Sequence, residues 1–177
     1  NIFHTLFALF VLIATALAQV QINDKPIHNF NYLTTANGLE SNTISAIHQD
    51  ATGFMWFGTS DGLYKYDGIK LHLVKRFFWE DKCEISFITE TQHDHKLWLL
   101  VANKLFTLQL QTEKIEEVKL PFEDYIMSIF TDREDRLWVC SYRSGVYTLD
   151  TTDGCFKKWD ELPVLTNQYV AQIIQRP

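Results

Sequence analysis

The chain has 177 residues, with 16 Lys and Arg against 22 Asp and Glu, a formal net charge of −6. That balance excludes a generally basic nucleic-acid-binding surface, leaving only a local patch open. With 46% hydrophobic and 21% charged residues the chain is not disordered, and 7 Gly and 4 Pro exclude collagen-like and linker-like classes. The 14% aromatic content and the many β-branched residues lean toward β structure.

Residues 2–18 carry no Asp, Glu, Lys or Arg, and Leu6–Ala14 is an unbroken apolar run. Ala16-Leu17-Ala18 then has the small-x-small form of a signal-peptidase site. A run this short suits the apolar centre of a signal peptide better than a bilayer span. The polar residues Asn23, Asp24 and Lys25 follow at once, which argues against a buried core helix. Residues 1–18 are therefore expected to be a signal-peptide helix whose true start precedes Asn1, and the mature chain to be exported.

Beyond this segment the dominant signal is an internal repeat. Trp56, Trp98 and Trp138 lie 42 and 40 residues apart, and Ile44, Ile85 and Ile126 lie 41 apart. In each unit the Ile opens a strand-like stretch: 43–47, 84–88 and 125–129. The Trp marks a second. A third follows at Leu63–Tyr66, Leu105–Leu108 and Val146–Leu149, and a fourth at 70–74, 114–119 and 156–159. Asp50-Ala51-Thr52-Gly53 suits a type I turn, and Asp61-Gly62 and Asp67-Gly68 are hairpin signals. The later units use polar turns without Gly, 93–96 and 133–136.

Four short strands recurring every 40–50 residues are the mark of a β-propeller blade. One blade has two apolar faces and buries neither alone; stacking around an axis buries each against a neighbour, with the Trp between blades. The expected fold is all-β: a β-propeller of four-stranded antiparallel blades, incomplete at about three and a half blades. Blade 1 is placed at 38–80, blade 2 at 81–120 and blade 3 at 121–164. Residues 165–177 supply the first strand of a fourth, and 19–37 are a lead-in. Within that lead-in 28–35 alternate like the outer strand of the closing blade. The deficit of blades implies the N-terminal part of a longer protein.

Residues 33–68 carry a more specific pattern. Gly38, Leu39, Asn42, Ile44, Ile47, Gln49, Asp50, Gly53, Trp56, Gly58, Thr59, Gly62, Leu63, Tyr66, Asp67 and Gly68 stand where the repeat of the two-component regulator propeller family has these residues. This unit resembles the first blade of that family, and a signal segment followed at once by such a blade looks like the start of a hybrid two-component sensor of Bacteroidetes type. The resemblance implies a periplasmic sensor region of an inner-membrane protein. It further implies detection of glycan fragments, a homodimer of the full-length protein, a downstream membrane helix, and a histidine kinase with transcriptional output. The second unit departs most, with 99–104 replacing the Gly-Thr and Gly-Leu positions; the third keeps Asp132, Trp138, Gly145 and Asp150.

Chemistry is sparse in this segment. Asp50, Asp61 and Asp67 each sit where a turn favours Asp, which is preferred to an acid–base or calcium role. Residues 132–136 read as a solvated hairpin and lack the spacing of a calcium loop. His93 and His95 flank Asp94 in a polar turn, preferred to a metal pair. Cys83, Cys140 and Cys155 show no metal-ligand spacing; Cys140 reads as a small buried hydrophobe, and a Cys83–Cys155 bridge stays open for an oxidising compartment. No phosphate loop, Gly-x-Ser-x-Gly or kinase signature occurs, so this segment is not expected to be an enzyme, and no cofactor, metal or nucleic-acid contact is expected of it.

A ligand is expected on the rim formed by the loops entering each first strand and the loops between second and third strands. There Ser60, Asp61, Asn103, Tyr142 and Arg143 stand with Asn42, the run Phe77-Phe78-Trp79, Glu123, Asp124 and Tyr125 from the entering loops, and Ser60, Asp61, Asn103, Trp79, Tyr125, Tyr142 and Arg143 are the candidate contacts. Aromatic faces with planar hydrogen-bonding groups suit sugars, and Arg143 beside Tyr142 suits an acidic sugar or carboxylate. Packing between blades competes for Trp79, and plain solvation for Arg143. Competing functions are an exported propeller enzyme of lyase or hydrolase type, a propeller coupled to a nucleotide cyclase or other output, and a protein-interaction scaffold.

Overall fold

A computed structural model of the chain describes residues 32–77, 84–150 and 154–159. The expected signal peptide, the strand at 165–177, Cys83 and Trp79 lie outside the described residues. The strands all belong to the compact unit that begins at Leu33.

Among the described residues twelve strands form three separate four-stranded sheets, each antiparallel and each in chain order. Blade 1 is β1 (Ile44–Gln49), β2 (Met55–Thr59), β3 (Leu63–Tyr66) and β4 (Leu71–Lys75). Blade 2 is β5 (Ile85–Thr91), β6 (Lys96–Val101), β7 (Lys104–Gln109) and β8 (Ile115–Val118). Blade 3 is β9 (Ile126–Thr131), β10 (Leu137–Ser141), β11 (Val146–Leu149) and β12 (Phe156–Lys158). The all-β propeller-blade architecture read from the repeat is the observed one. In the lead-in, residues 28–31 fall outside the described residues, and the expected strand is not continued at 35: Thr35–Asn37 is a 3-10 turn. Thr34 caps it, and Gly38 closes it in the left-handed region (φ 102°).

Burial follows position in the blade. The second strand is covered on both faces and flanked on both sides, so β10 is buried throughout and β6 from Leu97 to Val101. The fourth strands contain no buried residue. They bear His72 and Lys75, Glu116 and Glu117, and Lys157 and Lys158, charges and polar groups that discourage pairing with another sheet edge.

Each first strand carries a register shift one residue after its opening Ile, at Ser45, Ser86 and Met127. A bulge there twists the strand end. First strands of neighbouring blades meet, β1 with β5 and β5 with β9, as inner strands of successive wedges do.

Two apolar clusters fill the junctions. Between blades 1 and 2 lie Trp56, Leu63, Phe77, Ile85, Leu97, Leu99 and Phe106. Between blades 2 and 3 lie Trp98, Leu100, Leu105, Ile126, Ile129, Leu137 and Val139. Trp56 is 0% and Trp98 4% exposed, each facing the next blade, which is the role the repeat assigns them. Trp138 faces away from blade 2 and packs edge-on against Trp159, ring centroids 4.9 Å apart. Cys140 is 1% exposed beside Trp138, and burial pushes its thiol above the usual range against the opposing hydrogen bond with Ser128.

Candidate functional site

The two ends of the blades carry different chemistry. At the end where the first strand turns into the second, a carboxylate anchors Trp56 and Trp138. Asp50 Oδ2 accepts from Trp56 Nε1 at 2.7 Å, while Oδ1 accepts from Thr52 N (2.9 Å), Thr52 Oγ1 (2.6 Å) and Phe54 N (3.0 Å). Asp132 repeats the arrangement with Trp138 Nε1 at 2.7 Å and with Arg136 N and Nε at 2.9 and 2.7 Å. Burial pushes the Asp50 carboxyl up, but the hydrogen bonds from Thr52, Trp56 and Phe54 outweigh it and hold Asp50 below the usual carboxylate value; Asp132 is held low in the same way by Trp138 and Arg136. In blade 2 Thr91 stands in this place, accepting from Trp98 Nε1 at 2.9 Å and donating to Asp94 Oδ1 at 2.7 Å. The turn reading of Asp50 holds, and the indole bond adds a link between turn and interior that it did not contain.

Carboxylates of the following blade also brace these turns. Glu90 Oε2 accepts from Ala51 N at 2.9 Å and lies 3.3 Å from His48 Nε2. Asp135 accepts from Gln92 N at 2.8 Å, His93 N at 2.7 Å and the His93 ring. His93 and His95 are exposed turn residues, and among the described residues no group of three or more His, Cys, Asp or Glu is arranged to hold a metal ion.

The opposite end holds the residues singled out for ligand contact. Asn103, with Ala102, makes the two-residue turn between β6 and β7, both at positive φ (65° and 45°). Such a turn matches the twist of the flanking strands, and Asn tolerates the left-handed region. The Asn103 side chain reaches blade 3: Oδ1 accepts from Ile126 N at 2.6 Å and Nδ2 donates to the Asp124 carbonyl at 3.3 Å. Asp124 in turn gathers the turn between β10 and β11. Its Oδ2 accepts from Arg143 N, from Ser144 N at 2.8 Å and from Ser144 Oγ at 3.3 Å, and Oδ1 accepts from Tyr125 N at 2.8 Å. Burial pushes the Asp124 carboxyl up, and these bonds bring it below the usual value. Tyr142 N donates to the Tyr125 carbonyl at 2.7 Å, and the Arg143 guanidinium sits 5.5 Å from the Tyr142 ring centre.

Asn103, Tyr125, Tyr142 and Arg143 are therefore brought together, with Tyr125 61% exposed. Beside them a cavity of about 590 Å³ is lined by Asn103, Lys104, Glu117, Phe122, Glu123 and Asp124. Ser60 and Asp61 occupy the corresponding turn of blade 1, Ser60 exposed and its hydroxyl 3.4 Å from Asp61 Oδ2; no described contact joins them to this group. Asp124, a rim residue in the sequence reading but not a candidate contact, organises the cluster. Its signal is positional: it stands two residues before the Ile126 anchor, where Asn42 stands before Ile44.

Residues 38–61 match the sequence model of the family described as "Two component regulator propeller". No curated protein matches the chain in sequence. Among solved structures, one similar fold is the extracellular domain of BT3049 from B. thetaiotaomicron, assigned to a hybrid two component system. It is 22% identical, with a TM-score of 0.65 over 80% of this chain and 22% of that one. Another is the extracellular domain of BT4673 from the same organism, assigned to a one component system, at 20% identity and a TM-score of 0.64 over 79% and 20%. Virginiamycin B lyase from Staphylococcus aureus is also similar, at 16% identity and a TM-score of 0.54 over 70% and 42%. This chain thus spans about a fifth of the two extracellular domains it resembles. At these identities the likeness establishes the fold. The match to the two component regulator propeller model is confined to residues 38–61 of the first blade, and two further four-stranded blades follow it.

Proposed function

We propose that the chain is part of the sensor propeller of an exported, membrane-coupled two-component receptor, and that ligand binds on the rim carrying Asn103, Tyr125, Tyr142 and Arg143. The observation that carries the reading is the joining of blades 2 and 3 at that rim. Asn103 and Asp124 fix the backbone of both loops, so the exposed Tyr125 ring and the Arg143 guanidinium stand on a braced frame rather than on loose loops. A held aromatic face beside a cation suits an oligosaccharide, above all one bearing a carboxylate. Ser60, Asp61 and Trp79 complete the same proposal. Support for the sensor role comes from the first-blade repeat and from the likeness to extracellular domains of two-component type. The finer reading is a periplasmic location, a homodimer, a downstream membrane helix and a histidine kinase. In it, ligand shifts the balance between two arrangements of that dimer.

Calorimetry with neutral and uronate-bearing oligosaccharides, on the full ectodomain that contains this chain, tests the reading. Saturable binding that weakens at least tenfold in Arg143→Ala and Tyr125→Ala is expected. Binding unaffected by both substitutions would move the site elsewhere. Chemical turnover of a bound oligosaccharide would favour an exported propeller enzyme, the alternative that the lyase-like fold keeps in view.

A further inference from the structure

The rim cluster is continuous with the cavity of about 590 Å³ beside it, since Asn103 and Asp124 belong to both. The cavity lies over the turn between β6 and β7 and the connection from β8 to β9. Its floor is apolar. Leu105 is buried in the junction between blades 2 and 3, and the half-buried Val118, Leu120 and Phe122 pack against the same cluster. The Tyr147 ring backs Phe122, with centroids 4.6 Å apart. The volume falls within the range of small-molecule pockets, and an apolar floor with a few polar groups on its walls is their usual make-up.

The polar groups on the walls divide into those already engaged and those still available. The Asn103 amide is spent on Ile126 N and the Asp124 carbonyl, and the Asp124 carboxylate accepts from Tyr125 N, Arg143 N and the N–H and hydroxyl of Ser144. Lys104 Nζ meets Glu117 Oε1 at 3.4 Å. Lys119 and Glu123 are exposed and form no hydrogen bond or ion pair with another described residue. An ammonium only donates and a carboxylate only accepts, whereas a hydroxyl does both. Lys119 and Glu123 together therefore suit a group bearing several hydroxyls. Their charges cancel, as do those of Lys104 and Glu117, so a neutral occupant leaves no charge unmatched. Hydroxyls at the edge and C–H groups over an aromatic and aliphatic floor describe a sugar ring.

We infer that this cavity takes a neutral sugar unit, joined to the acidic unit held at Arg143 and Tyr125, so that the ligand is at least a disaccharide. This second seat presupposes the proposed rim site. Calorimetry on the full ectodomain with glucuronate and with cellobiouronate, in which glucuronate is linked to glucose, tests it. Cellobiouronate is expected to bind at least tenfold tighter, and the advantage to vanish in the Lys119→Ala, Glu123→Ala double variant. The Leu120 methyl resonances, assigned by their loss in Leu120→Met, should shift with cellobiouronate and not with glucuronate, a readout that stands even if the double variant fails to fold. Equal affinity for the two acids, both weakened by Arg143→Ala, would overturn the second seat and leave the rim site standing. An advantage that survives in the folded double variant, or Leu120 methyls indifferent to cellobiouronate, would likewise remove the sugar from this cavity. No binding of either acid, or binding indifferent to Arg143→Ala, would overturn the rim site and the second seat with it.

Discussion

The junction between blades 1 and 2 is closed at its inner end by backbone approach; the junction between blades 2 and 3 is closed there by side chains. At the first, Gly58 lets Ile85 come so near that a Cβ on residue 58 would lie 2.8 Å from both Cβ and Cγ2 of Ile85. Ser45 Oγ then donates to the Ile85 carbonyl at 2.8 Å, with the Gly58 carbonyl 3.2 Å away. At the second, register puts Leu100 where Gly58 stands. Leu100 fills the space against Ile126, and Ser86 Oγ turns back to its own sheet, to the Leu100 carbonyl at 3.3 Å. The second junction recovers polar links farther out, through Thr89 Oγ1 to Thr131 Oγ1 at 2.8 Å and through the Asn103–Asp124 frame. One blade plan therefore tolerates two ways of seating a neighbour, provided each buries its second-strand Trp.

That proviso is the largest effect to test. Trp56→Ala and Trp98→Ala each empty a closed junction and should each cost about 3–5 kcal/mol, measured by urea unfolding. Trp138→Ala removes a ring covered by Trp159 and Arg136 rather than by a full blade, and should cost roughly half as much. Equal losses at all three would deny that a facing blade sets the value of the Trp.

Next in size is the turn carboxylate. All four groups bonded to Asp50 are donors, so Asp50→Asn turns an amide NH2 against one of them and should cost about 1.5–3 kcal/mol. The native Asp50 and Asp132 are held below the usual carboxylate value by their hydrogen bonds. Their contribution is therefore complete above the unfolded carboxylate value and disappears as pH falls through the lower folded values. Urea midpoints should drop from pH 5 to pH 3, with a shallower drop in Asp50→Asn. Blade 2 has Thr91 in this position, so the Trp98 indole N–H should stay protected from exchange at an acidity that already exposes those of Trp56 and Trp138.

These contrasts explain what could be read from the sequence. The Ile and Trp periods gave three blades because burying a second strand demands apolar residues at fixed intervals, and the turn residues at Asp50, Asp67 and Gly68 marked where strands end. The first unit was legible residue by residue, whereas blade 2 hid its turns: Ala102-Asn103 replaces a Gly-bearing loop with a left-handed pair. The rim residues could be gathered at one end from strand order alone. Their mutual bonds could not, since Asn103 and Asp124 act across a junction whose closeness depends on packing between sheets. Nor did the sequence show that Thr91 takes over the work of an Asp, because blade 2 has one more residue between its opening Ile and its Trp and the carboxylate moves to Asp94.

Gly58 offers a smaller and sharper test of the inner contact. Gly58→Ala brings a methyl against Ile85 Cβ, Cγ2 and the carbonyl oxygen at 3.0 Å, none of them the free end of a flexible chain. The strand must shift, at a cost of about 1–3 kcal/mol. In an Ile85→Ala background the two side-chain atoms nearest the methyl become one, and the cost should fall by about half, which a double-mutant cycle measures. A cost that is unchanged would place the strain in the β1–β2 pairing and not in the junction.

The smallest effect bears on the outer end. Lys65→Thr copies blade 2 into blade 1 and removes an ammonium held by Glu113, Phe54 and Trp56. The pair is partly solvated, with the Lys65 side chain 20% exposed, so the loss should be only about 0.5–1 kcal/mol. The same change opens space beside Trp56 while leaving Glu113 in place. A double-mutant cycle of Lys65→Thr with Glu113→Ala, read by urea unfolding, measures the share that belongs to the ion pair. A loss well above this, about the 3–5 kcal/mol that breaking a buried pair costs, would mean that the Lys65 ammonium is held as a buried charge and not as a partly solvated one.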